Sequence, residues 1–221
     1  SFPTRRSSDL NCAYSHGNRP GDRKVGTVGI SMPASFCKIS EEGEILVKND
    51  CTMVGYYKEP EKTAETITKD GFLRTGDMGE IDDDGYLKIT GRIKELFKTD
   101  KGKYVAPAPI ELELSKNQHI AQICVVGANL KQPIALTVLE ENIDLSKEEI
   151  EQDLCNTLQE VNSNLDNHER IAKYIIMQEN WTVENNLITP TMKVKRNILE
   201  KKYENDFLKW QEKKDVKVIW E

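Results

Sequence analysis

Residues 80–91 (EIDDDGYLKITG) contain the pattern that most limits what this chain can fold into. Apolar residues lie on both sides of a DDDG segment, which is rich in the residues that form tight turns. The pattern predicts a β-hairpin, with one strand ending at Ile81 and the next running from Tyr86 to Thr90. We therefore expect antiparallel sheet in the first half of the chain.

Other segments in that half have a similar character. Residues 25–30 (VGTVGI) and 43–48 (GEILVK) are short apolar runs bounded by turn residues, which predicts two further strands. Residues 60–70 predict a short helix, because Pro60 suits a first helical turn and Asp70-Gly71 is a turn signal. We expect residues 11–93 to form a β-rich unit.

The pattern changes after Lys94, where helices and strands become mixed. Ser146 and Glu149 form a capping-box pattern before an apolar stripe at steps of three and four residues, which predicts a helix over residues 146–165. The other expected elements are helices over residues 110–116 and 196–210, and strands over residues 120–126, 134–139 and 171–177. The whole chain is then an α+β protein, with a small mixed domain at residues 94–221.

The first ten residues (SFPTRRSSDL) differ from the rest. They are basic and serine-rich, and they have neither helical nor strand periodicity. A transit peptide has a similar composition. We favour a non-native segment, since the stretch resembles translated sequencing-adapter DNA, and we read the fold from residue 11 onward.

Composition excludes several classes of function. The net charge of −6 argues against a nucleic-acid-binding protein, because phosphate backbones require a basic surface. The five cysteines are odd in number and form no CxxC pair, which predicts free thiols in the cytoplasm and no zinc site. No apolar run approaches the roughly 18–20 residues needed to span a bilayer.

Three segments carry residues suited to phosphate and nucleotide chemistry. In residues 74–77 (RTGD), Gly76 permits a tight turn, and the Asp77 carboxylate can accept two hydrogen bonds from a pair of vicinal hydroxyls. Residues 90–103 (TGRIKELFKTDKGK) and 187–196 (LITPTMKVKR) place lysines and arginines near turns, where ammonium groups can meet phosphates. Taken singly, each also fits a structural turn or a solvated basic loop.

Together, in this order and spacing, the segments resemble the acyl-adenylate-forming superfamily, and within it the long-chain fatty-acid–CoA ligases. The resemblance runs from about residue 18 to about residue 210 and is most specific over residues 55–111, from GYYKEPEKTAE to YVAPAPIE. It implies that this chain is the C-terminal piece of such a ligase: the β-rich end of the large domain, followed by the small mobile domain.

The resemblance also implies roles for single residues in the first unit. Asp77, in TGD, matches the carboxylate that binds the ribose hydroxyls of ATP. Arg92, in GR, matches the arginine that contacts the same ribose, and Ile89 matches an apolar residue near the adenine. Lys94 matches the hinge about which the small domain rotates.

The lysine loops of the second unit are assigned in the same way. Lys98 and Gly102 match the loop that enters the site for thioester formation, although the family often has SGGKY where this chain has residues 100–104 (DKGKY). Lys193 matches the lysine that acts in adenylation. The common family motif is TGK, whereas here Met192 precedes the lysine.

The implied reaction consumes a fatty acid, ATP and CoA and proceeds through acyl-AMP. Neither the Ser/Thr/Gly-rich phosphate loop nor the glutamate that helps hold Mg²⁺ occurs in this sequence, so we expect the metal ligand outside it and no useful adenylation by these residues alone. Other readings stay open: an adenylating ligase for aryl, short-chain or carrier-protein-linked acids, or a non-catalytic interaction module. A peripheral contact with a membrane and the oligomeric state are also left open.

Overall fold

The computed structural model describes residues 8–11, 15–213 and 216–221. They form two compact units, the first ending at Lys94 and the second beginning at Glu95. Residues 1–7, most of the stretch that we expect to be non-native, and Cys12 lie outside the described residues. Within the described parts of the chain, no helix combines the length and apolar character needed to cross a bilayer.

The first unit is built mainly from antiparallel strands. Strands β3, β4, β5 and β6 form one sheet in that order, and β1 pairs with β2. Its described elements are α1 (Ser8–Asn11), β1 (His16–Gly17), β2 (Ile30–Ser31), β3 (Phe36–Ile39), β4 (Glu44–Lys48), α2 (Pro60–Thr66), β5 (Leu73–Ile81) and β6 (Leu87–Arg92).

The hairpin predicted over residues 80–91 is confirmed as β5 and β6. A carboxylate oxygen of Asp82 accepts hydrogen bonds from the backbone N–H groups of Asp84 at 3.1 Å and Tyr86 at 2.9 Å. Gly85 adopts a φ of 84°, which a residue with a side chain rarely takes. The three aspartates therefore build a turn, as the sequence pattern indicates.

The strand predicted over residues 25–30 is wrong, because the strand is only Ile30–Ser31. Gly26 and Gly29 have φ values of 85° and 96°, which are incompatible with an extended run. A Cβ at Gly29 would lie 2.2 Å from the backbone of Gly17, so this position is closely packed against another chain segment. The glycines here make bends, and the fully exposed Val25 contributes nothing to the core.

The helix predicted over residues 60–70 ends earlier, at Thr66. Ile67 has extended torsion angles and forms an isolated bridge with Leu73 of β5, so it pairs with the sheet and does not continue the helix. The small core of this unit contains Ile45, Val47 and Leu73, together with Leu87.

The second unit is a sheet of strands β9 to β12 with helices on both faces. Strand β9 pairs antiparallel with β10, whereas β10–β11 and β11–β12 are parallel. Its described elements are a 3₁₀ turn that spans the unit boundary (Ile93–Glu95), β7 (Phe97–Lys98), β8 (Tyr104–Val105), α3 (Pro107–Leu114), β9 (Ile120–Val126), β10 (Ile134–Leu139), α4 (Lys147–Ser163), β11 (Tyr174–Ile176), α5 (Arg196–Tyr203), α6 (Phe207–Glu212) and β12 (Val218–Trp220).

Two apolar clusters hold these layers together. Helices α3 and α4 pack on one face of the sheet, and α5 and α6 pack on the other. Alternation along β9 explains the arrangement: Val125 belongs to the first cluster, whereas Cys124 and Val126 belong to the second. Burial of both faces makes this sheet the rigid centre of the unit.

Helix α4 confirms the predicted capping box. The Ser146 hydroxyl accepts from the Glu149 N–H at 3.3 Å, and the Glu149 carboxylate accepts from the Ser146 N–H at 2.8 Å. Of the predicted stripe, Ile150, Leu154, Leu158 and Val161 are buried, whereas Leu165 is partly buried and lies beyond the helix, which ends at Ser163 and not at residue 165. Such a cap contributes about 1 kcal/mol.

The single helix predicted over residues 196–210 is wrong, because the chain forms two helices, α5 and α6, separated at residues 204–206. The break lets Phe207 and Trp210 bury beside Leu199 on one face of the sheet. Buried Lys173 then donates to the Trp210 carbonyl at 2.9 Å and to the Lys213 carbonyl at 2.6 Å, which stabilises the end of α6. Burial lowers the pKa of Lys173.

The bounds of α3 and β11 also differ by a few residues from those expected. Helix α3 starts at Pro107 itself, because proline lacks the N–H that a first helical turn leaves unpaired. It ends at Leu114, before the predicted end at residue 116. Strand β11 is Tyr174–Ile176, shorter than the predicted residues 171–177. Strands β9 and β10 have the predicted bounds.

Candidate functional site

Asp77 and Arg92 face each other across the β5–β6 ladder. They are register partners, and Arg92 Nε lies 2.9 Å from Asp77 Oδ1. The Asp77 side chain is 22% exposed and the Arg92 side chain is 60% exposed. The pair therefore presents a carboxylate and a guanidinium together at the surface of the first unit, which suits hydrogen bonding to adjacent hydroxyl groups.

The backbone before Asp77 is held by side chains. Gly76 has a φ of 75°, and the Thr75 hydroxyl donates to the Ile45 carbonyl at 2.8 Å while accepting from the Asp77 N–H at 3.1 Å. Sequence reasoning missed Glu44, which is buried and accepts from the Gly76 N–H at 3.0 Å and from Arg74 at 2.9 Å. A glutamate beginning an otherwise apolar strand was the available signal.

Ile89 and Lys94 lie on the segment that leads to the second unit. Ile89 is in β6, opposite Gly79, and its side chain is 47% exposed. Lys94 is exposed in the 3₁₀ turn Ile93–Glu95 and is the last residue of the first unit. The residue assigned as the hinge thus lies where the two units meet in sequence.

Lys98 and Gly102 belong to a hairpin formed by β7 and β8. Gly102 has a φ of 72° at the turn, and Lys98 Nζ lies 4.6 Å from the centroid of the exposed Tyr104 ring. Two backbone hydrogen bonds of 2.9 Å, Asn129 N to Lys98 O and Asp100 N to Leu130 O, attach the hairpin to the loop after β9. The hairpin is therefore fixed at its base and exposed at its tip.

Lys193 lies at the end of a second hairpin, over residues 187–195. Ile188 and Val194 form an isolated antiparallel bridge, and the Lys193 N–H donates to the Thr189 hydroxyl at 3.0 Å. Met192 adopts a φ of 61° and is 70% exposed. Lys193 itself is exposed, so its ammonium group has solvent access.

The two lysine hairpins share one backbone geometry. In each, the first residue of a five-residue loop donates to the carbonyl of the fifth, and the fourth donates to the carbonyl of the first, while the fourth has a positive φ. This is a three-residue β-hairpin loop with a bulge. The same loop occurs at residues 40–44, 68–72, 82–86, 99–103 and 189–193; Met192 occupies the position that is glycine in the others.

Sequence reasoning also missed the contacts of Arg196. The guanidinium forms a two-pronged ion pair with Glu111, with distances of 2.8 and 3.0 Å. These residues are 85 positions apart, and a single sequence contains no signal for such a pair. Near them, burial raises the pKa of Glu200, and the positive charge of Arg196 opposes that rise.

The structure thus brings Asp77 into contact with Arg92, and it places Lys98 with Gly102 in one hairpin and Lys193 in another. Cys37, Cys51, Cys124 and Cys155 are free thiols. Across residues 8–11, 15–213 and 216–221, no three His, Cys, Asp or Glu side chains are grouped so as to hold a metal ion.

Comparison with known proteins identifies the family of this chain. Residues 95–213 match the family model for the AMP-binding enzyme C-terminal domain. The long-chain-fatty-acid–CoA ligase FadD15 of Mycobacterium tuberculosis is 34% identical over 203 residues, covering 84% of this chain and 34% of that protein. Long-chain-fatty-acid–CoA ligase 5 of Rattus norvegicus is 34% identical over 212 residues, covering 82% of this chain and 31% of that protein.

A solved structure gives the same result. The ATP-bound RpMatB–BxBclM chimera B1 superimposes with a TM-score of 0.68 and 28% identity, covering 86% of this chain and 39% of the chimera. The chain spans about a third of the length of the curated relatives it matches. The chain therefore belongs to the family of AMP-binding enzymes, whose C-terminal domain it contains.

Proposed function

We propose that this chain is the C-terminal portion of an ATP-dependent long-chain fatty-acid–CoA ligase, which converts a fatty acid, ATP and CoA into acyl-CoA, AMP and diphosphate. One observation carries the proposal: the Asp77–Arg92 pair lies on one unit, whereas the hairpins of Lys98 and Lys193 lie on the other. Such a division suits an enzyme that holds a nucleotide on one part and exchanges catalytic lysines from another. The names of the curated relatives favour the fatty-acid substrate.

In the first step, the Asp77 carboxylate accepts hydrogen bonds from the ribose hydroxyls of ATP, Arg92 contacts the same ribose, and Ile89 lies near the adenine. The fatty carboxylate attacks the α-phosphorus, and the bond to diphosphate breaks. Negative charge accumulates where the carboxylate meets the phosphate, and the Lys193 ammonium stabilises it. Loss of one such contact raises a barrier by about 3–4 kcal/mol.

In the second step, rotation about Lys94 withdraws Lys193 and brings in the hairpin of Lys98 and Gly102. The thiolate of CoA attacks the acyl carbonyl, forming the thioester and expelling AMP, while the thiol proton passes to solvent. A few backbone torsions in the turn Ile93–Glu95 are enough for such a rotation. Magnesium would neutralise negative charge on the phosphates in this reaction, and we propose that its ligands lie outside the described residues.

The experiment that tests the proposal separates the two half-reactions in the ligase that contains this chain. Lys193→Ala should abolish most acyl-dependent ATP–diphosphate exchange, yet leave thioester formation from supplied acyl-AMP nearly unchanged. Lys201→Ala, on the exposed side of α5, is the matched control and should affect neither. Equal loss of both half-reactions in Lys193→Ala contradicts the assigned role.

The chain by itself should catalyse no useful exchange, because its sequence contains no phosphate loop. Clear acyl-dependent exchange by the purified chain would refute this part of the proposal. A panel of acids offered to the ligase tests the substrate: preference for an aryl, short-chain or carrier-linked acid favours the corresponding alternative. If the ligase catalyses neither half-reaction with any acid, whether or not it binds nucleotide, the result favours the non-catalytic module.

We propose a cytoplasmic location for the enzyme. Vesicle co-sedimentation tests whether it also makes peripheral contact with a membrane.

A further inference from the structure

Arg196 is the first residue of α5 and follows Lys193 by three positions. Both terminal nitrogens of its guanidinium contact the Glu111 carboxylate of α3, at 2.8 and 3.0 Å. The two side chains are 16% and 19% exposed, so the pair is largely shielded from water. A planar, two-pronged contact fixes the direction of both groups as well as the distance between them.

The same guanidinium is bound to the central sheet. Arg196 Nη1 donates to the Val125 carbonyl, and the Val125 N–H donates to Glu111 at 2.6 Å. Arg196 Nη1 also lies 3.3 Å from Cys124 Sγ, which is a neutral thiol because burial raises its pKa. Helix α3, strand β9 and the start of α5 therefore meet at one charged group.

Little freedom remains between this group and Lys193. The Lys195 N–H donates to the Leu187 carbonyl at 2.8 Å, which closes the base of the hairpin. The Thr189 N–H donates to the Lys193 carbonyl at 2.8 Å, which closes its tip. Leu187 and Ile188 are each 2% exposed, so the first hairpin strand is anchored in the core. The position of Arg196 therefore restricts the backbone position of Lys193.

We propose that Arg196, held by Glu111, is a positioning residue that fixes the direction in which the Lys193 hairpin leaves the second unit; the inference rests on the proposed role of Lys193. A buried ion pair is weak evidence for stability, since an apolar pair of similar size often holds a fold as well. The two-pronged Arg196–Glu111 contact also fixes the relative orientation of the two side chains, which an apolar pair does not do. A misplacement of about 1 Å in a catalytic group can cost roughly 100-fold in rate.

The test uses two variants of the parent ligase. One is a double variant that combines Glu111→Leu and Arg196→Met, and the other is the single variant Arg196→Lys. The double variant removes both members of the ion pair, so neither is left buried without the other, and Arg196→Lys keeps the charge but loses the two-pronged contact. In both, kcat for adenylation should fall by roughly 10- to 100-fold, with KM for ATP and thioester formation from acyl-AMP changed by no more than about threefold. Lys202→Met, which breaks the Lys202–Glu179 ion pair on the same helix, should change neither step.

A second measurement uses the chain alone. Limited trypsin digestion followed by mass spectrometry should show faster cleavage after Lys193 and Lys195 in the double variant, at temperatures well below its melting point. Unchanged cleavage together with unchanged adenylation overturns the positioning role. Equal loss of both half-reactions also overturns it, because that result indicates a general structural role.

Lys193→Ala, assayed in parallel, separates the inference from the function on which it rests. Selective loss of adenylation in Lys193→Ala with full activity in the double variant removes only the role of Arg196. No effect of Lys193→Ala overturns both. Selective loss in both variants, with Lys202→Met unchanged, supports both.

Discussion

Arg92 Nε lies 2.9 Å from Asp77 Oδ1 on the neighbouring strand, forming an ion pair, and the two residues are partners in the β5–β6 register. Because strand register sets their spacing, neither side chain depends on a flexible loop for its position. The guanidinium and the carboxylate form an ion pair at the surface of the first unit. This relationship leads to the first prediction.

Asp77→Asn should raise KM for ATP in the complete ligase by roughly 10- to 100-fold, since a hydrogen bond to a charged group contributes about 1.5–3 kcal/mol. The amide has the same shape but accepts fewer hydrogen bonds and carries no charge. Steady-state kinetics at varied ATP concentration measures the change. Asp83→Asn, at the exposed turn of the same hairpin, removes an equal charge and should leave KM unchanged; an equal rise in both variants would contradict ribose binding by Asp77.

Gly102→Ala should slow thioester formation from acyl-AMP while sparing adenylation. A Cβ at Gly102 meets no atom within 4 Å, so the effect comes from its φ of 72° and not from a clash. An alanine forced into this region costs about 1–2 kcal/mol. Separate assays of the two half-reactions detect the change.

Gly85→Ala is a matched control for that experiment. Gly85 has a φ of 84° in the same type of loop and also has open space around its Cβ position. Its replacement should destabilise the chain by a similar amount without slowing the thioester step. If Gly85→Ala slows that step equally, the Gly102 result reflects stability alone.

Met192→Gly should stabilise the isolated chain by about 0.5 kcal/mol. Relief of the left-handed conformation gains about 1–2 kcal/mol, and the extra backbone entropy of glycine in the unfolded chain offsets about 0.5–1 kcal/mol of it. Met192→Val should instead destabilise, because a β-branched residue tolerates a φ of 61° poorly. Urea unfolding of the three proteins gives the order, and a Val variant as stable as the Gly variant would disprove conformational strain at this turn.

The Asp70 carboxyl should titrate at about 2 in the folded chain. The hydrogen bond from Lys38, and then that from Thr68, lower its pKa from the ordinary 3.8 to about 2. Since the folded pKa is lower, the ionised form stabilises the fold above pH 3.8, and this contribution is lost as the pH falls toward 2.

Carbon-13 NMR titration of the folded protein measures that midpoint. Lys38→Gln should move the Asp70 midpoint upward, because it removes the largest cause of the lowered pKa. Lys88→Gln removes a different lysine–carboxylate pair of the same sheet, Lys88–Glu80, and should leave Asp70 unchanged. If Lys38→Gln leaves the Asp70 midpoint unchanged, the Lys38–Asp70 ion pair is excluded as the cause of the lowered pKa.

Local signals predicted much of this fold. The Ser146 capping box and the DDDG turn act within a few residues, and both were visible in the sequence. Strands β9 and β10 were found at their observed bounds because both are nearly continuous apolar runs buried on both faces. The failures have several causes. Where tertiary packing overrides local preference, as at the break between α5 and α6, a helical pattern does not reveal the boundary.

The residues of the candidate site likewise fall into those that the sequence indicated and those that it did not. Asp77, Arg92 and Lys193 were singled out because the segments that carry them, in their order and spacing, resemble those of a known family. Glu44 and Glu111 were not, although Glu44 accepts from the Gly76 N–H and Glu111 pairs with the Arg196 guanidinium. Glu44 lies 32 positions from Gly76, and Glu111 lies 85 positions from Arg196. Partners at such separations are set by sheet register and helix packing, which one sequence does not specify.

Strand β9 is bound at Val125 by Arg196, and the loop that follows it accepts and donates the backbone hydrogen bonds of the Lys98 hairpin. The Lys98 hairpin and the start of α5, which follows the Lys193 hairpin, are therefore both attached to this strand or to the loop after it. Under the proposed function, one rotation moves both hairpins together, and the departure of one lysine and the arrival of the other are a single event. No separate signal is then needed to synchronise the two exchanges.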